Sequence, residues 1–310
     1  MATLRTVMIT GATGGLGRSL AHRLARRRDT ETVVLAVRDA ARGETVRAGL
    51  QTEFPDVRFE LSVIDTASLS SVRAAVANLE TPLDGIVLNA GGTGGQRPQS
   101  LTPEGVNVVA ASNTVGHALL VDLLIVRGTL TGTVVYVSSE AAFGVPALRL
   151  PAPVVGDGSV REFRSWIDGS VQHGARFDPA LAYGQAKLLG ALWVGALARR
   201  HPRLRPVAVS PGNTAGTGVL RDLPLPVRVL APRVNKLLGR VHSLDAGTER
   251  LADVLLDPAF RIGRFYASAK GRMIGPLVDQ AADHPEVDDE ALQDHAYDAL
   301  RASFTVAHPG

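Results

Sequence analysis

The sequence contains no cysteine, few lysines and no long uninterrupted apolar run. Without cysteine, the 310-residue chain can form no disulfide, thiol nucleophile or thiolate metal site. Apolar stretches are broken by Arg, Asp or Gly before the roughly 18 residues that a membrane-spanning helix needs. No signal-peptide pattern precedes the first strand pattern. We therefore expect no integral membrane segment and a cytoplasmic location.

Neither sign of charge is in large excess. The chain has 33 basic and 30 acidic residues and a formal net charge of +3. The basic residues are scattered and are not interleaved with aromatic residues as in a nucleic-acid groove, which argues against DNA or RNA as a partner. No His and carboxylate spacing is typical of a metal site. A small-molecule substrate is the expected partner, and a homo-oligomer is left open.

Short Val-, Ile- and Leu-rich runs alternate with longer helical patterns. Continuous apolar strands separated by helices predict a parallel sheet that is buried on both faces. Chains of this length often form one α/β unit, so the sequence predicts an α/β, doubly wound (Rossmann) sheet with helices on both faces, in a single domain over residues 1–310. Six strands are predicted at 5–10, 32–37, 57–63, 84–89, 132–138 and 205–210.

Two segments interrupt the alternation. Residues 140–182 are rich in Pro and Gly and form an insertion longer than ordinary connections. Residues 217–242 form a basic amphipathic segment that we interpret as a C-terminal substrate lid. Packing on its own domain or on a second subunit is the alternative, and contact with a membrane surface is another. A helix from Ser243, a strand at 262–268 and a last helix at 288–303 complete the chain.

The glycine-rich sequence TGATGGLG lies between the first strand and the first helix. Gly11 permits a tight turn, Gly15 lets the backbone approach a pyrophosphate, and Gly17, which follows Leu16, allows close packing of the helix. The helix N-terminus adds the positive end of its dipole. This context predicts a dinucleotide-binding turn, with a merely flexible turn as the alternative.

Residues at the ends of the second and third strands are expected to contact the adenosine half of a dinucleotide. Val37 stands where an Asp or Glu would favour NAD, whereas Arg38 offers a guanidinium to a 2′-phosphate. The expected cofactor is therefore NADP(H), although Arg38 could also be an ordinary surface residue. Asp65, followed by Thr66, is placed to meet the adenine amino group or, alternatively, to cap the next helix.

Further motifs complete a pattern along the chain: LNAG (88–91), NTVGH (113–117), SS (138–139), YGQAK (183–187) and PGNTAGT (211–217). Together with TGATGGLG, their spacing resembles the short-chain dehydrogenase/reductase family. The NxxGH helix, the Arg-Asp pair after the second strand and the long insertion are similar to the retinol dehydrogenase and protochlorophyllide reductase branch of that family.

The resemblance implies roles for specific residues. It implies a catalytic tetrad of Asn113, Ser139, Tyr183 and Lys187. It also implies that Asn89, Ala90 and Gly91 line the adenosine-ribose side of the cofactor. The nicotinamide side would be lined by Pro211, Gly212 and Thr214. Tyr183 and Lys187 would touch the cofactor as well.

Several positions depart from the family pattern. Leu88, Ala186 and Gly216 replace an expected Asn, Ser and Thr, so that Thr214 or Thr217 would have to bind the carboxamide. Relatives that reduce protochlorophyllide carry a Cys directly after the Pro-Gly pair, and here Asn213 stands in that place. The departures concern cofactor anchoring and leave the tetrad intact.

The pair Tyr183 and Lys187 suits proton transfer to a carbonyl. Hydride transfer leaves an alkoxide, which needs a proton donor. Lys187 lies one helical turn after Tyr183 on the same face, and its ammonium is expected to lower the pKa of the phenol from its usual value near 10. A chance Tyr-xxx-Lys spacing is the alternative, but lysine is scarce. By resemblance, Ser139 would donate to the substrate oxygen and Asn113 would hold a water.

The insertion must loop out beside Tyr183 and is expected to wall the pocket. With the lid, it favours a bulky, largely apolar ketone, aldehyde or alcohol as the substrate, as in a tailoring reductase of secondary metabolism. The alternatives are a reductase of a C=C bond and a non-catalytic NADP-binding sensor. An intact Tyr183 and Lys187 argue against the sensor, which needs no tuned acid.

Overall fold

The computed structural model describes residues 4–148, 150–174, 176–215 and 241–304. The expected lid at 217–242 therefore lies outside the described residues except for Val241 and His242. Gly216 and Thr217, named as carboxamide positions, lie outside them as well.

One sheet of eight strands forms the centre of the fold, in the order β3-β2-β1-β4-β5-β6-β7-β8. Pairing is parallel from β3 through β7, and only β8 is antiparallel. The predicted doubly wound parallel sheet is confirmed, and β8 is an addition whose two residues leave no periodic pattern to read. The strands are β1 (Thr6–Thr10), β2 (Thr32–Val37), β3 (Arg58–Val63), β4 (Leu83–Leu88), β5 (Leu130–Val137), β6 (Arg205–Val209), β7 (Phe265–Ala267) and β8 (Val278–Asp279).

Helices follow most of the strands, and most begin at a Ser, Asp or Asn whose side chain accepts a backbone N–H. Ser68 caps α3, so the alternative of Asp65 as that cap is wrong. Oδ1 of Asp65 instead accepts from the backbone N–H of Ala67 at 3.0 Å. The longer helices are α1 (Gly15–Ala25), α2 (Ala40–Glu53), α3 (Leu69–Ala77), α4 (Val108–Val126), α5 (Val160–Asp168), α6 (Pro179–Arg200), α7 (Leu244–Leu256) and α8 (Glu290–Ala302).

Both faces of the sheet are buried, each in its own core. Along β1, Val7 and Ile9 belong to the core under α1 and α7, whereas Met8 belongs to the core under α3, α4, α6 and α8. Successive strand residues point to opposite faces. Burial on both faces is the reason why the strands read as continuous apolar runs.

The insertion at 140–182 is organised around α5. Phe163, Trp166 and Ile167 are buried and join the core that contains α6 and α8. Before α5, the Glu162 carboxylate accepts the backbone N–H groups of Gly156 and Gly158, each at 2.7 Å. The insertion is thus a structural support of α6.

Helix α4 is long and apolar enough to cross a membrane, with a mean hydropathy of 1.7 over Val108–Val126. Its apolar composition is explained by burial, since 72% of that window lies inside the fold, against α3 and α6. Helix α4 is therefore placed as a core helix.

Candidate active site

The predicted site residues gather at one edge of the sheet. In a parallel sheet, the carboxyl ends of the strands share an edge, and ligands bind in the crevice outside it. The Gly-rich turn follows β1, Asn89 follows β4, Ser139 follows β5 and Pro211 follows β6. Helices α4 and α6 bring Asn113 and Tyr183 to the same edge.

The turn after β1 forms a bare backbone cradle. Gly11 has a φ of 68°, and a methyl group on Gly17 would lie 2.4 Å from the carbonyl oxygen of Gly11, so only glycine fits there. Leu16 is buried and Gly15 opens α1, whose N-terminus has no side-chain cap. Free N–H groups at a helix N-terminus suit an anionic pyrophosphate, so this turn fits a dinucleotide.

Thr10 joins this turn to the loop after β4. Its Oγ1 accepts from the backbone N–H groups of Asn89 at 2.8 Å and Ala90 at 2.9 Å. The side-chain Nδ2 of Asn89 donates in return to the carbonyl oxygen of Thr10 at 2.9 Å. Asn89 and Ala90 are therefore held against the Gly-rich turn, as the family resemblance implies for the adenosine side.

His117 extends this connection to α4. Its Nε2 is 3.0 Å from Oγ1 of Thr10, and its Nδ1 is 3.1 Å from the carbonyl oxygen of Asn113. Because a carbonyl only accepts, Nδ1 carries the proton and Nε2 accepts from the Thr10 hydroxyl. Burial, assisted by the charge of Lys187, lowers the pKa of His117 to about 3. His117 is thus a neutral structural link.

The adenosine edge lies at the ends of β2 and β3. Thr10 pairs with Ala36 in the sheet, which sets the exposed Arg38 beside the Gly-rich turn. Thr66 is buried, and its hydroxyl donates to the carbonyl oxygen of Ser112 at 3.1 Å. Its side chain thus ties the loop after β3 to α4.

Tyr183 and Lys187 lie one turn apart on α6. Nζ of Lys187 is 5.4 Å from the ring centroid of Tyr183 and donates to the carbonyl oxygen of Val137 at 2.8 Å. Ser138 donates from Oγ to the carbonyl oxygen of Lys187 at 3.0 Å. The end of β5 therefore fixes Lys187 from two sides, and Ser139 follows directly.

The pKa of Tyr183 departs from the expectation. Burial raises it from 10.0 to about 12, a hydrogen bond with Ser139 lowers it and the carboxylate of Glu140 raises it. The expected lowering of this pKa is therefore wrong in direction, because burial disfavours the phenolate and is the largest influence on it. Burial also lowers the pKa of Lys187 from 10.5 to about 7. Tyr183 stays protonated near neutral pH, as a proton donor must.

Asn113 lies in a π-helical stretch of α4, Ala111–Val115. Its Nδ2 donates to the carbonyl oxygens of Gly92 at 2.7 Å and Val109 at 2.8 Å. A methyl group on Gly91 would lie 2.3 Å from Oδ1 of Asn113 and 3.6 Å from Nζ of Lys187. Asn113, Gly91 and Lys187 are therefore close neighbours, and π-bulges of this kind are frequent at functional sites.

The loop after β6 holds its shape through its own polar groups. The buried Thr214 donates from Oγ1 to the carbonyl oxygen of Pro211 at 2.9 Å. The N–H of Gly212 donates to Oγ of Ser210 at 3.0 Å. The three residues expected to approach a nicotinamide therefore form one compact turn.

Sequence reasoning assigned no role to Thr10 or Glu140, and it expected His117 to be structural or exposed rather than catalytic, which the buried link described above bears out. Each adjoins or belongs to a recognised motif, since Thr10 opens TGATGGLG, His117 closes NTVGH and Glu140 follows the two serines. Motif position was therefore a usable signal. The specific roles of these three residues could not be predicted in this way, because the burial and the hydrogen-bond partners of their side chains depend on tertiary contacts.

The fold and the site together define a class: a doubly wound α/β protein with a Ser, Tyr and Lys grouped at the carboxyl edge of its sheet. The family model described as short chain dehydrogenase matches residues 5–150. Protochlorophyllide reductase B of Oryza sativa subsp. japonica is 33% identical over 296 residues, covering 86% of this chain and 70% of that protein. Protochlorophyllide reductase A of Arabidopsis thaliana is 31% identical, covering 86% and 69%.

Solved structures show the same fold. Salutaridine reductase from Papaver somniferum has a TM-score of 0.57 at 19% identity, covering 84% of this chain and 99% of that one. NADPH-bound carbonyl reductase from chicken fatty liver also has a TM-score of 0.57 at 19% identity, covering 88% and 99%. The chain belongs to the short-chain dehydrogenase/reductase family and is an oxidoreductase of that family.

Proposed function

We propose that the protein transfers a hydride between NADP(H) and a bulky ketone, aldehyde or alcohol, with Tyr183 as the proton donor in the reductive direction. The observation that carries this proposal is the group formed by Tyr183, Ser139 and Lys187 at the carboxyl edge of the sheet. The substrate carbonyl would lie between the Tyr183 and Ser139 hydroxyls.

Each residue has a distinct task in this reaction. A bound nicotinamide would supply the hydride, and the Gly-rich turn, Asn89 and Arg38 would hold the rest of the dinucleotide. Ser139 donates a hydrogen bond to the substrate oxygen, and Tyr183 transfers its proton to the alkoxide as charge develops there. Lys187, held by Val137, stabilises the phenolate that remains.

NADP(H) is favoured over NAD(H) by the end of β2. Val37 provides no carboxylate for a ribose 2′-hydroxyl, and the exposed Arg38 follows it beside the Gly-rich turn. The carbonyl reductase of the same fold is bound to NADPH.

Replacing Arg38 with Ala is expected to weaken NADPH binding by about 10- to 100-fold and to leave NADH binding nearly unchanged, because a charge-assisted bond to the 2′-phosphate is lost. Dissociation constants for both cofactors, measured by nucleotide fluorescence, check this. Arg58→Ala is the matched control, since Arg58 is exposed at the opposite edge of the sheet. Equal affinity losses for both cofactors would contradict the role of Arg38.

A cavity of about 300 Å³ close to Asn113 and Tyr183 is the candidate substrate site. It lies where α4 and α6 begin, fewer than two helical turns before Asn113 and Tyr183. That volume is at the lower end for small-molecule sites, so the cavity would hold only one part of a bulky substrate, and its mixed lining favours polar substituents on that part. The lining residues are Gln99, Leu101, Asn107, Asp168, Gly169, Gln172, His173, Gly174 and Phe177.

Reduction of a C=C bond is the second candidate. It is favoured by the match to protochlorophyllide reductases over 86% of the chain. The absence of cysteine from the sequence and Asn213 after the Pro-Gly pair weigh against that reaction in this protein. A non-catalytic NADP sensor is weaker still, because it would not need Tyr183 and Lys187 together.

The deciding experiment is a substrate panel with NADPH and NADH. It should contain small ketoacids, polycyclic ketones with polar substituents, the matching alcohols, and protochlorophyllide in light and in darkness. Turnover of the polycyclic carbonyls supports the proposal. Turnover of protochlorophyllide alone supports the second candidate, reduction of small ketoacids alone contradicts the bulky substrate, and tight NADPH binding with no turnover supports a sensor.

A further inference from the structure

A carboxylate directly after Ser139 joins three strand ends. Oε2 of Glu140 accepts from the Ser210 hydroxyl at 2.5 Å, and Oε1 accepts from the Ser268 hydroxyl at 3.1 Å. Ser210 follows β6 and Ser268 follows β7, so Glu140 ties the ends of β5, β6 and β7 together. Its side chain is 13% exposed. A carboxylate so enclosed needs a compensating charge.

Arg250 on α7 supplies that charge. It is 5% exposed, and its Nη2 is 3.9 Å from Oε1 of Glu140. Nη1 is 3.0 Å from Nε2 of His242 and donates to the Ser268 hydroxyl at 3.0 Å. Among the described residues, Nε and Nη2 of Arg250 have no hydrogen-bond partner. Nη2 thus faces the Glu140 carboxylate at ion-pair distance.

This cluster lies directly behind the loop after β6. Ser210, which donates to Glu140, accepts from the N–H of Gly212 at 3.0 Å. A methyl group on Gly212 would lie 2.6 Å from Nη1 of Arg250. The backbone N–H of His242 donates to the carbonyl oxygen of Asn213 at 2.7 Å. Displacement of Glu140 or Arg250 would therefore move the loop next to Ser139.

The charges around Tyr183 come from several elements. Lys187 lies on α6, Tyr136 on β5 and His117 on α4, and Glu140 follows β5, with Arg250 and His242 behind it. Burial keeps Tyr136 neutral by raising its pKa and His117 neutral by lowering its pKa to about 3. Burial and the nearby Arg250 also lower the pKa of His242. Apart from Lys187, the charge that acts on Tyr183 is therefore that of Glu140, which Arg250 balances from behind.

We propose that Glu140 is a positioning residue that aligns Ser139 with the Pro211–Thr214 turn, and that its carboxylate, balanced by Arg250, sets the pH range over which Tyr183 exchanges its proton. This inference rests on the proposed function. The packing of the two segments supports it: a methyl group on Gly184, next to Tyr183, would lie 2.6 Å from the carbonyl oxygen of Ala141, next to Glu140. At this short range the Glu140 carboxylate opposes ionisation of Tyr183. A negative charge near a phenol disfavours the phenolate, and a positive charge behind it reduces that effect.

The test compares Glu140→Gln with Arg250→Met in the NADP⁺-bound protein. Tyrosinate absorbance is titrated with pH in each variant and in the same variant carrying Tyr183→Phe. The difference between the two curves is the Tyr183 signal, and it can be resolved because the chain has only four tyrosines. Glu140→Gln is expected to bring Tyr183 ionisation to lower pH by about one unit. Arg250→Met should bring it no lower, and the double variant should fall between the two. The control is Glu60→Gln, which removes a carboxylate in β3 that accepts a hydrogen bond from the Thr81 hydroxyl. Its Tyr183 titration should match that of the wild type.

The same order should appear in the pH profile of alcohol oxidation with a substrate from the panel, where Tyr183 acts as the base. There Glu140→Gln should also raise the KM for NADP⁺ by about tenfold through the displaced turn. Equal shifts in Glu140→Gln and Arg250→Met, or none in folded variants, would overturn the proposal. The double variant removes both charges of the pair and so leaves no unpaired buried charge. It is measured in place of either single variant that fails to fold. Because the titration needs no substrate, an inactive panel contradicts the proposed function without deciding this inference.

Discussion

The Tyr183→Phe variant is expected to lose about 10²- to 10⁴-fold in hydride-transfer rate with its substrate, the range that general acid catalysis contributes. The ring remains, so packing on α6 is preserved, while the only phenolic proton beside Ser139 is removed. Single-turnover measurements of NADPH oxidation check this, together with the dissociation constant of NADPH. That constant should change by less than about threefold, because the hydroxyl contributes at most a single hydrogen bond to the cofactor.

Tyr297→Phe is the matched control for the loss of a phenol. Tyr297 is buried in α8, where its ring lies 4.4 Å from the guanidinium of Arg200, far along α6 from Tyr183. That variant should retain the wild-type rate. If Tyr183→Phe retained it too, another group would be the proton donor and the proposed mechanism would be wrong.

Lys187→Met is expected to lower the hydride-transfer rate by about 10²- to 10³-fold and at the same time to stabilise the fold. The activity falls because no ammonium remains to stabilise the phenolate of Tyr183. The stability rises because a 3% exposed ammonium is replaced by an apolar side chain of similar length. Thermal unfolding and single-turnover rates measure the two effects.

The stabilisation by Lys187→Met should depend on pH with a defined sign. Burial lowers the pKa of Lys187 from 10.5 to about 7 in the folded protein. Between these values, the unfolded chain binds a proton that the folded protein does not, so the wild type gains stability as the pH rises. The advantage of the variant should be largest at pH 7 or below and vanish above about 10.5. Lys270→Met, at an exposed lysine, should show neither effect, and a destabilised Lys187→Met would contradict the burial argument.

The order of strands and helices was readable from the sequence because burial on both faces makes each parallel strand a continuous apolar run. Ser243 also marks the start of its helix correctly, whereas the cap of α3 is Ser68 and not Asp65. Strand β8 was not readable, because two residues carry no period. The role of α5 was not readable either, since a Pro- and Gly-rich segment gives no sign that Phe163 and Trp166 lie in the core.

The site divides in the same way. Lys187 and Tyr183 were predictable because one helical turn separates them, a distance fixed by local geometry. The pKa of Tyr183 was not, because it depends on burial and on Glu140, which lies far away in sequence. Arg250 carries no local signal at all, since an arginine in α7 becomes part of the cluster only when α7 packs beside the ends of β6 and β7.

The packing of α8 on α6 and α5 has a consequence for synthesis on the ribosome. The Gly-rich turn, its flanking elements β1 and α1, and β2 are all translated well before α8. Helix α6 gains its covering partner only when Ala302, the last residue of α8, has left the exit tunnel. Domains generally fold as units during translation. A growing chain would thus hold the residues of the nucleotide turn and of Tyr183 before it can complete the core that seats them, and premature termination before α8 would leave a protein that lacks support for its own chemistry.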